Sequence, residues 1–180
     1  MRTTGPDPQE PAFPPVSTSL PAFLADGTDR EFRGLIYGLL QMSTLMLKTR
    51  EHYGAHIGVS APQYSILMAM AERGDTTVTE LAEMLHVSGP FITVEINKLS
   101  KAGHVLRRRS PSDGRSSLLS LTASGKELIR RVSSVRARAN DIAFGALSPM
   151  EGQILRRAVP KLIEGLLAAL HDLEKPRSSP

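Results

Sequence analysis

From residue 28 onward, apolar residues recur three and four positions apart, the period of a helix that buries one face. Phe32, Leu35, Ile36, Leu39, Leu40, Met46 and Leu47 form the first stripe, with Ser43 on the same side, and predict a helix from Thr28 to about residue 54. Thr28 followed by Glu31 has the form of a capping box, in which each side chain satisfies a free backbone N–H near the other. Ser60 with Gln63 opens a second helix through Ile66, Leu67, Met70 and Ala71 to Gly74, and Thr77 with Glu80 opens a short third, Leu81 to Leu85. The run Val87-Ser88-Gly89-Pro90 then turns the chain into a fourth helix. Ser88 suits the N-cap, Pro90 is tolerated in the first turn, and Val87 can staple onto Ile92.

After Gly103 the period changes from helical to alternating. Residues Val105 to Arg109 alternate, Pro111-Ser112-Asp113-Gly114 signals a tight turn, and Leu119 to Leu121 alternate again, so a β-hairpin is predicted. Thr122 caps a long fifth helix through Leu128, Val132, Val135, Ala139 and Ile142. Ser148-Pro149-Met150-Glu151 opens the last helix, which carries Leu155, Val159, Leu162, Leu166, Ala169 and Leu173, and Pro160 inside it predicts a kink or a split. Residues 1–25 hold six prolines and little periodic pattern, which predicts a disordered or extended arm whose Phe13, Phe23 and Leu24 are available to a partner subunit.

Hydrophobic residues make up 41% of the 180, enough for a core, while aromatics at 4% leave that core to aliphatic side chains, as in helix-on-helix packing. The absence of cysteine excludes disulfides, thiolate metal sites and thiol redox sensing. No apolar leader stands at the start and no run of 18 apolar residues occurs, so the expectation is a cytoplasmic protein with no membrane partner. The net charge of +4 means little until it is located. Residues 88–131 hold nine Lys or Arg against Glu95, Asp113 and Glu127, so this segment is +6 and the rest of the chain sums to −2. Positive charge gathered in one segment is the electrostatic footprint of a nucleic-acid binder.

That segment is also where the elements follow in the order helix, turn, helix, hairpin. Ala82 is small where the third helix must meet the fourth, and Ile92, Ile96 and Leu99 form the stripe that locks the fourth in place. The opposite side shows Ser88, Gly89, Pro90, Thr93, Val94, Asn97, Lys98 and Lys101, short or polar enough to enter a major groove. Thr93 and Asn97 can exchange hydrogen bonds with base edges, Val94 can touch a thymine methyl, and the lysines can meet phosphates. Arg107 and Arg109 on the first hairpin strand add charge. Arg115, beyond the turn, projects a guanidinium suited to a narrow minor groove, with Asp113 able to orient it. The partner implied is double-stranded DNA.

Residues of about 28–173 resemble the MarR family of winged-helix regulators. The most specific match is Asp113-Gly114-Arg115, then Leu118-Leu119-Ser120-Leu121-Thr122, then Gly125. This is similar to the family's wing signature of Asp, one residue, Arg, a short gap and Leu-x-Leu-Thr before a helix. The resemblance implies that Arg115 is the wing-tip residue in the minor groove, held by Asp113. It implies first and last helices that intertwine across a dimer two-fold, a small molecule bound between dimerisation and DNA-binding parts, and repression relieved by that molecule. Val94 departs from the Arg that many members carry there, so the family's base contacts at that position do not transfer.

The expected fold is mainly α: an α+β winged helix-turn-helix with a small β-hairpin wing and long N- and C-terminal helices forming a dimerisation domain. Residues 1–27 are read as a Pro-rich arm, flexible or partner-docked, 28–58 and 123–173 as dimerisation helices, 60–122 as the DNA-binding domain, and 174–180 as a flexible tail. The flanking apolar faces could instead pack within one subunit, although two long helices on a small domain leave more apolar surface than a monomer covers. Tyr53, His56, Tyr64 and Met68 near the first helix junction are candidates for a pocket taking an aromatic or acidic effector, with ordinary helix packing as the other reading. His52 and His56 stand four apart, a metal-binding spacing, but without a thiolate nearby they read as solvated, and no metal or other cofactor is expected. No Ser/His/Asp order, carboxylate pair or phosphate-cradling glycine loop stands out, so no enzyme is expected. The function read from the sequence is a dimeric, ligand-responsive repressor on a palindromic operator; an effector-independent architectural DNA-binding protein is the alternative.

Overall fold

A computed structural model describes residues 13–109 and 117–175, which form a short 3-10 turn at Pro21–Phe23, six α-helices and a two-stranded hairpin. The helices are α1 (Arg30–Ile57), α2 (Ala61–Arg73), α3 (Val78–Leu85), α4 (Gly89–Lys101), α5 (Ala123–Phe144) and α6 (Pro149–Leu173). Strands β1 (Val105–Arg109) and β2 (Ser117–Leu121) lie between α4 and α5. Capping chemistry sets most of the starts. Ser60 with Gln63, Thr77 with Glu80 and Ser148 with Glu151 form reciprocal boxes, and Ser88 and Thr122 accept the backbone N–H of Phe91 and Gly125.

The box expected at Thr28 and Glu31 does not form. Asp29 is the N-cap of α1 and is wholly buried; its carboxylate accepts the backbone N–H and hydroxyl of Ser17 at 2.6 and 2.5 Å and the Arg33 guanidinium. Thr28 turns its hydroxyl to the Arg30 N–H instead, at 3.1 Å. Beside this anchor Phe23 lies against Phe32, ring centroids 4.9 Å apart, so residues 17–29 pack on the start of α1 in their own chain. Residues 1–12 of the expected arm and 176–180 of the expected tail lie outside the described residues.

α1 also runs past its expected end to Ile57, closed by Gly58 in the left-handed region (φ 77°) with backbone bonds from Gly58 and Val59 to Ala55 and Gly54. Gly54 permits that closure, because a Cβ there would stand 2.7 Å from the Val59 carbonyl oxygen. α6 is one continuous helix with Pro160 inside it, so the split that was one of the two expected outcomes does not occur. The proline leaves the carbonyl of Arg156 without its N–H partner, but α6 is exposed along its length, so water can take that place.

The hairpin is antiparallel, with Val105 opposite Leu121, Arg107 opposite Leu119 and Arg109 opposite Ser117. Thr76, just before α3, pairs with Leu119 through two backbone hydrogen bonds of 3.0 and 2.7 Å and ties the wing to the helices. One core spans the middle of the chain: Tyr53 and Ile57 of α1, Ile66, Leu67 and Met70 of α2, Leu81, then Ile92, Ile96 and Leu99 of α4, Val105 and Leu119 of the wing, and Leu128 and Val132 of α5. Full burial of such a side chain is worth about 1.5–3 kcal/mol. The first two-thirds of α1, the second half of α5 and all of α6 contribute no buried residue.

Candidate nucleic-acid interface

The turn from α3 into α4 is short because His86 takes the left-handed conformation (φ 52°, ψ 46°), which lets the Val87 N–H reach back to the Ala82 carbonyl at 3.0 Å. Ala82 is half-buried at this contact, where a larger side chain would part the helices. Ile92 and Ile96 at 0% and Leu99 at 1% exposure then lock α4 onto α2 and the wing. With that face fixed, the rest of α4 is committed to solvent. Ser88, Pro90, Val94, Asn97, Lys98 and Lys101 are exposed and Thr93 is half-buried. Two hydroxyls on this face already have local work: Ser88 caps the helix, and Thr93 donates to the Gly89 carbonyl at 3.0 Å. Asn97 makes no hydrogen bond within the chain among the described residues, so its amide offers both donor and acceptor.

On the hairpin Val105, Arg107 and Arg109 share one face. Val105 is buried, whereas Arg107 and Arg109 run past the edge of the core into solvent. Asp113 and Arg115 lie outside the described residues.

Two acids on this unit have structural causes. Glu80 is held below its ordinary pKa by the Thr77 backbone N–H, then by the hydroxyls of Thr76 and Thr77, with Arg73 at 3.9 Å adding attraction. Glu95 escaped the sequence reading as anything but one acid in a basic segment. It lies 7% exposed on the same side of α4 as Ile92, Ile96 and Leu99, bonded to Gln63 of α2 and to Lys98. The available signal was a carboxylate three residues after Ile92, inside an apolar stripe.

The candidate effector residues are partly brought together. Tyr53 and Tyr64 are buried with ring centroids 5.5 Å apart, and with half-buried Met68 they line a cavity of about 440 Å³ between α1, α2 and α5. His56 does not line it; because α1 stays helical to Ile57, its buried end faces inward through Tyr53, Gly54 and Ile57, and His56 is exposed. Sequence reasoning missed Arg50 and Arg136, which line the same cavity. Arg50 donates to the Ser65 hydroxyl at 3.2 Å and Arg136 lies 3.1 Å from the Met68 sulfur. Among the described residues no cluster of three metal-ligating side chains occurs.

A family model described as MarR family matches residues 57–116, from the end of α1 to the wing. The organic hydroperoxide resistance transcriptional regulator of Bacillus subtilis is 30% identical over 117 residues, covering 64% of this chain and 74% of the relative. This chain belongs to the MarR family of transcriptional regulators. Another relative of the MarR-family chain, an HTH-type transcriptional repressor of Mycobacterium tuberculosis, is 28% identical over 106 residues, 59% of this chain and 76% of its own length. Its winged helix-turn-helix fold is that of a MarR-family regulator from Listeria monocytogenes complexed with 26mer DNA, at TM-score 0.70 and 16% identity over 80% of this chain and 97% of that one. The Staphylococcus aureus MepR–DNA complex gives TM-score 0.62 at 20% identity, covering 72% and 94%.

Proposed function

We propose that this MarR-family chain is a ligand-responsive repressor that binds a palindromic operator as a homodimer in the cytoplasm, and that it is not an enzyme. The observation that carries DNA recognition is the presented face of α4: Asn97 without a hydrogen bond among the described residues, Val94 and Lys101 exposed, on a helix whose other side is fixed by Ile92, Ile96 and Leu99. Such a face reads base edges in the major groove, while Arg107, Arg109 and Arg115 with its neighbour Asp113 bring the wing to phosphates and the minor groove. Support for the dimer comes from the apolar α6 side chains left in solvent, among them Leu155, Leu162, Leu166 and Leu173. A two-fold dimer presents two equal half-sites, hence the palindrome. Among the described residues no helix is long and apolar enough to cross a membrane.

The effector is placed in the cavity at Tyr53, Tyr64 and Met68. Its buried aromatic wall and the guanidinium groups of Arg50 and Arg136 suit an aromatic body with an acidic group. A chain without cysteine has no thiol through which to sense an oxidant. A useful switch needs the ligand to prefer the DNA-incompetent state by about 1–3 kcal/mol.

The test is selection of bound fragments from random duplexes, followed by anisotropy titrations on the selected and a scrambled duplex at several salt concentrations. Arg115→Ala should weaken selected-duplex binding by on the order of 1–3 kcal/mol per half-site and flatten the salt slope. Asn97→Ala should instead alter which bases are preferred and leave that slope nearly unchanged. Equal binding of selected and scrambled duplexes by the native protein would remove sequence-specific recognition. A native complex that no aromatic acid dissociates would favour the effector-independent architectural role.

A further inference from the structure

Glu95 occupies a position where pattern and burial both call for an apolar side chain. Its side chain is 9% exposed, one turn from Ile92 and Leu99, and burying a carboxylate costs several kcal/mol unless partners compensate. Two partners do. Its Oε2 accepts from Gln63 Nε2 at 3.0 Å, and its Oε1 accepts from Lys98 Nζ at 2.7 Å. Gln63 is itself held, because its Oε1 accepts the Ser60 N–H at 3.1 Å in the cap of α2. An apolar residue of similar size in place of a buried charge is often as stable or more so, so stability gives no reason for the carboxylate to stand here. The chain Ser60–Gln63–Glu95–Lys98 instead ends at an ammonium on the presented face of α4, beside Asn97 and Lys101, with Lys98 itself 58% exposed.

We infer that Glu95 is a positioning residue for recognition: it holds Lys98 against α4 and cancels its charge, so that Lys98 acts as an oriented donor and not as a free phosphate counterion. This rests on α4 being the DNA-facing helix. A free lysine at that place would strengthen binding to any duplex, since each phosphate neutralised releases counterions whatever the sequence. Paired to Glu95, Lys98 keeps two N–H donors for a base edge or one chosen phosphate and adds little indiscriminate attraction. Glu95 thereby lowers binding to random DNA and widens the gap between operator and other sites.

The experiment measures binding of the full-length protein, Glu95→Gln, Lys98→Ala and the double variant to a selected duplex and to a random-sequence duplex, each at several salt concentrations. Glu95→Gln keeps shape and a hydrogen-bond acceptor for Gln63; Glu95→Met serves the same purpose if the glutamine variant is unstable in thermal unfolding. Either change should tighten random-duplex binding several-fold, steepen its salt slope by about one unit per subunit, and narrow the ratio between the two duplexes. Lys98→Ala should barely move the random-duplex slope in the native background and should lower it by about one unit per subunit in the Glu95→Gln background. Equal effects of Lys98→Ala in both backgrounds, or no change in random-duplex binding from either Glu95 variant, would overturn the inference while leaving α4 as the reading helix. An undiminished preference for the selected over the random duplex in the Asn97→Ala, Lys98→Ala and Lys101→Ala triple variant would overturn that assignment of α4, and this inference with it.

Discussion

Gly125 shows what one missing methyl does. It stands where the first turn of α5 passes the start of the wing, and a Cβ there would lie 2.3 Å from the His104 carbonyl oxygen. That oxygen is backbone and also accepts the Thr122 N–H at 3.1 Å, while the Thr122 hydroxyl bonds Gly103, so neither side can give way easily. Gly125→Ala should therefore cost about 1–3 kcal/mol, within the range for forced overpacking. The check is a lowered urea midpoint at unchanged slope; an unchanged midpoint would mean that the wing–α5 junction shifts freely. The sequence shows Gly125 as part of a signature but not this reason, because the atom it avoids is 21 residues away in the chain. The same limit applies to Glu95, whose partner Gln63 is 32 residues distant. Exposed and buried sides of α4 were legible, since Ile92, Ile96 and Leu99 are set by local period alone. The direction of His56 was not legible, because the pattern ends α1 near residue 54 and the helix runs on to Ile57.

Among the elements, helix starts carried by neighbours in sequence were readable and the one carried by a distant contact was not. Ser60, Thr77, Ser88, Thr122 and Ser148 each cap as their local patterns require. At α1 the local box lost to Asp29, whose bonds come from Ser17, twelve residues upstream, and from Arg33. The box on α3 has a pH signature. Glu80 is ionised more readily in the fold than its ordinary value of 4.5, because the backbone N–H of Thr77 and then two threonine hydroxyls favour the charged form. A depressed carboxylate contributes stability above its unfolded value, and that contribution is lost as pH falls through the lower folded value. Stability should thus drop on acidification below about pH 4.5 more steeply in the native chain than in Glu80→Gln. The difference between two urea-unfolding series across pH 3–7 isolates Glu80 from the other acids; parallel curves would show that the box contributes nothing through charge. Glu80 is 41% exposed on its side chain, so solvent screens the effect. Thr77→Ala should lower stability by about 1 kcal/mol at neutral pH, as for other lost N-caps.

The whole molecule is lopsided in what it buries. Its core lies between Tyr53 and Val132, while α6 carries Leu155, Leu162, Leu166 and Leu173 at 39–64% exposure, and α1 shows Leu35, Ile36 and Leu40 at 40–58%. Apolar area left in water forgoes about 25 cal/mol per Å², so long amphipathic helices of this kind are stable only when something covers them. Under the proposed dimer a second copy would supply that cover, a two-fold contact letting α1, α5 and α6 of each protomer cover those of the other. The full-length protein should be a dimer by light scattering, with a Tm that rises with protein concentration, since unfolding then includes dissociation. Ending the chain at Leu147 removes α6, and the two accounts of the molecule part here. If each subunit stands alone, α6 buries nothing of the core and its loss should leave a soluble, cooperative monomer. If α6 covers a partner, the truncated chain should expose the faces of α1 and α5 and be unstable or aggregate. A folded monomer of residues 1–147, melting at the temperature of the full-length chain at any concentration, would refute the dimer and with it the paired half-sites of the operator.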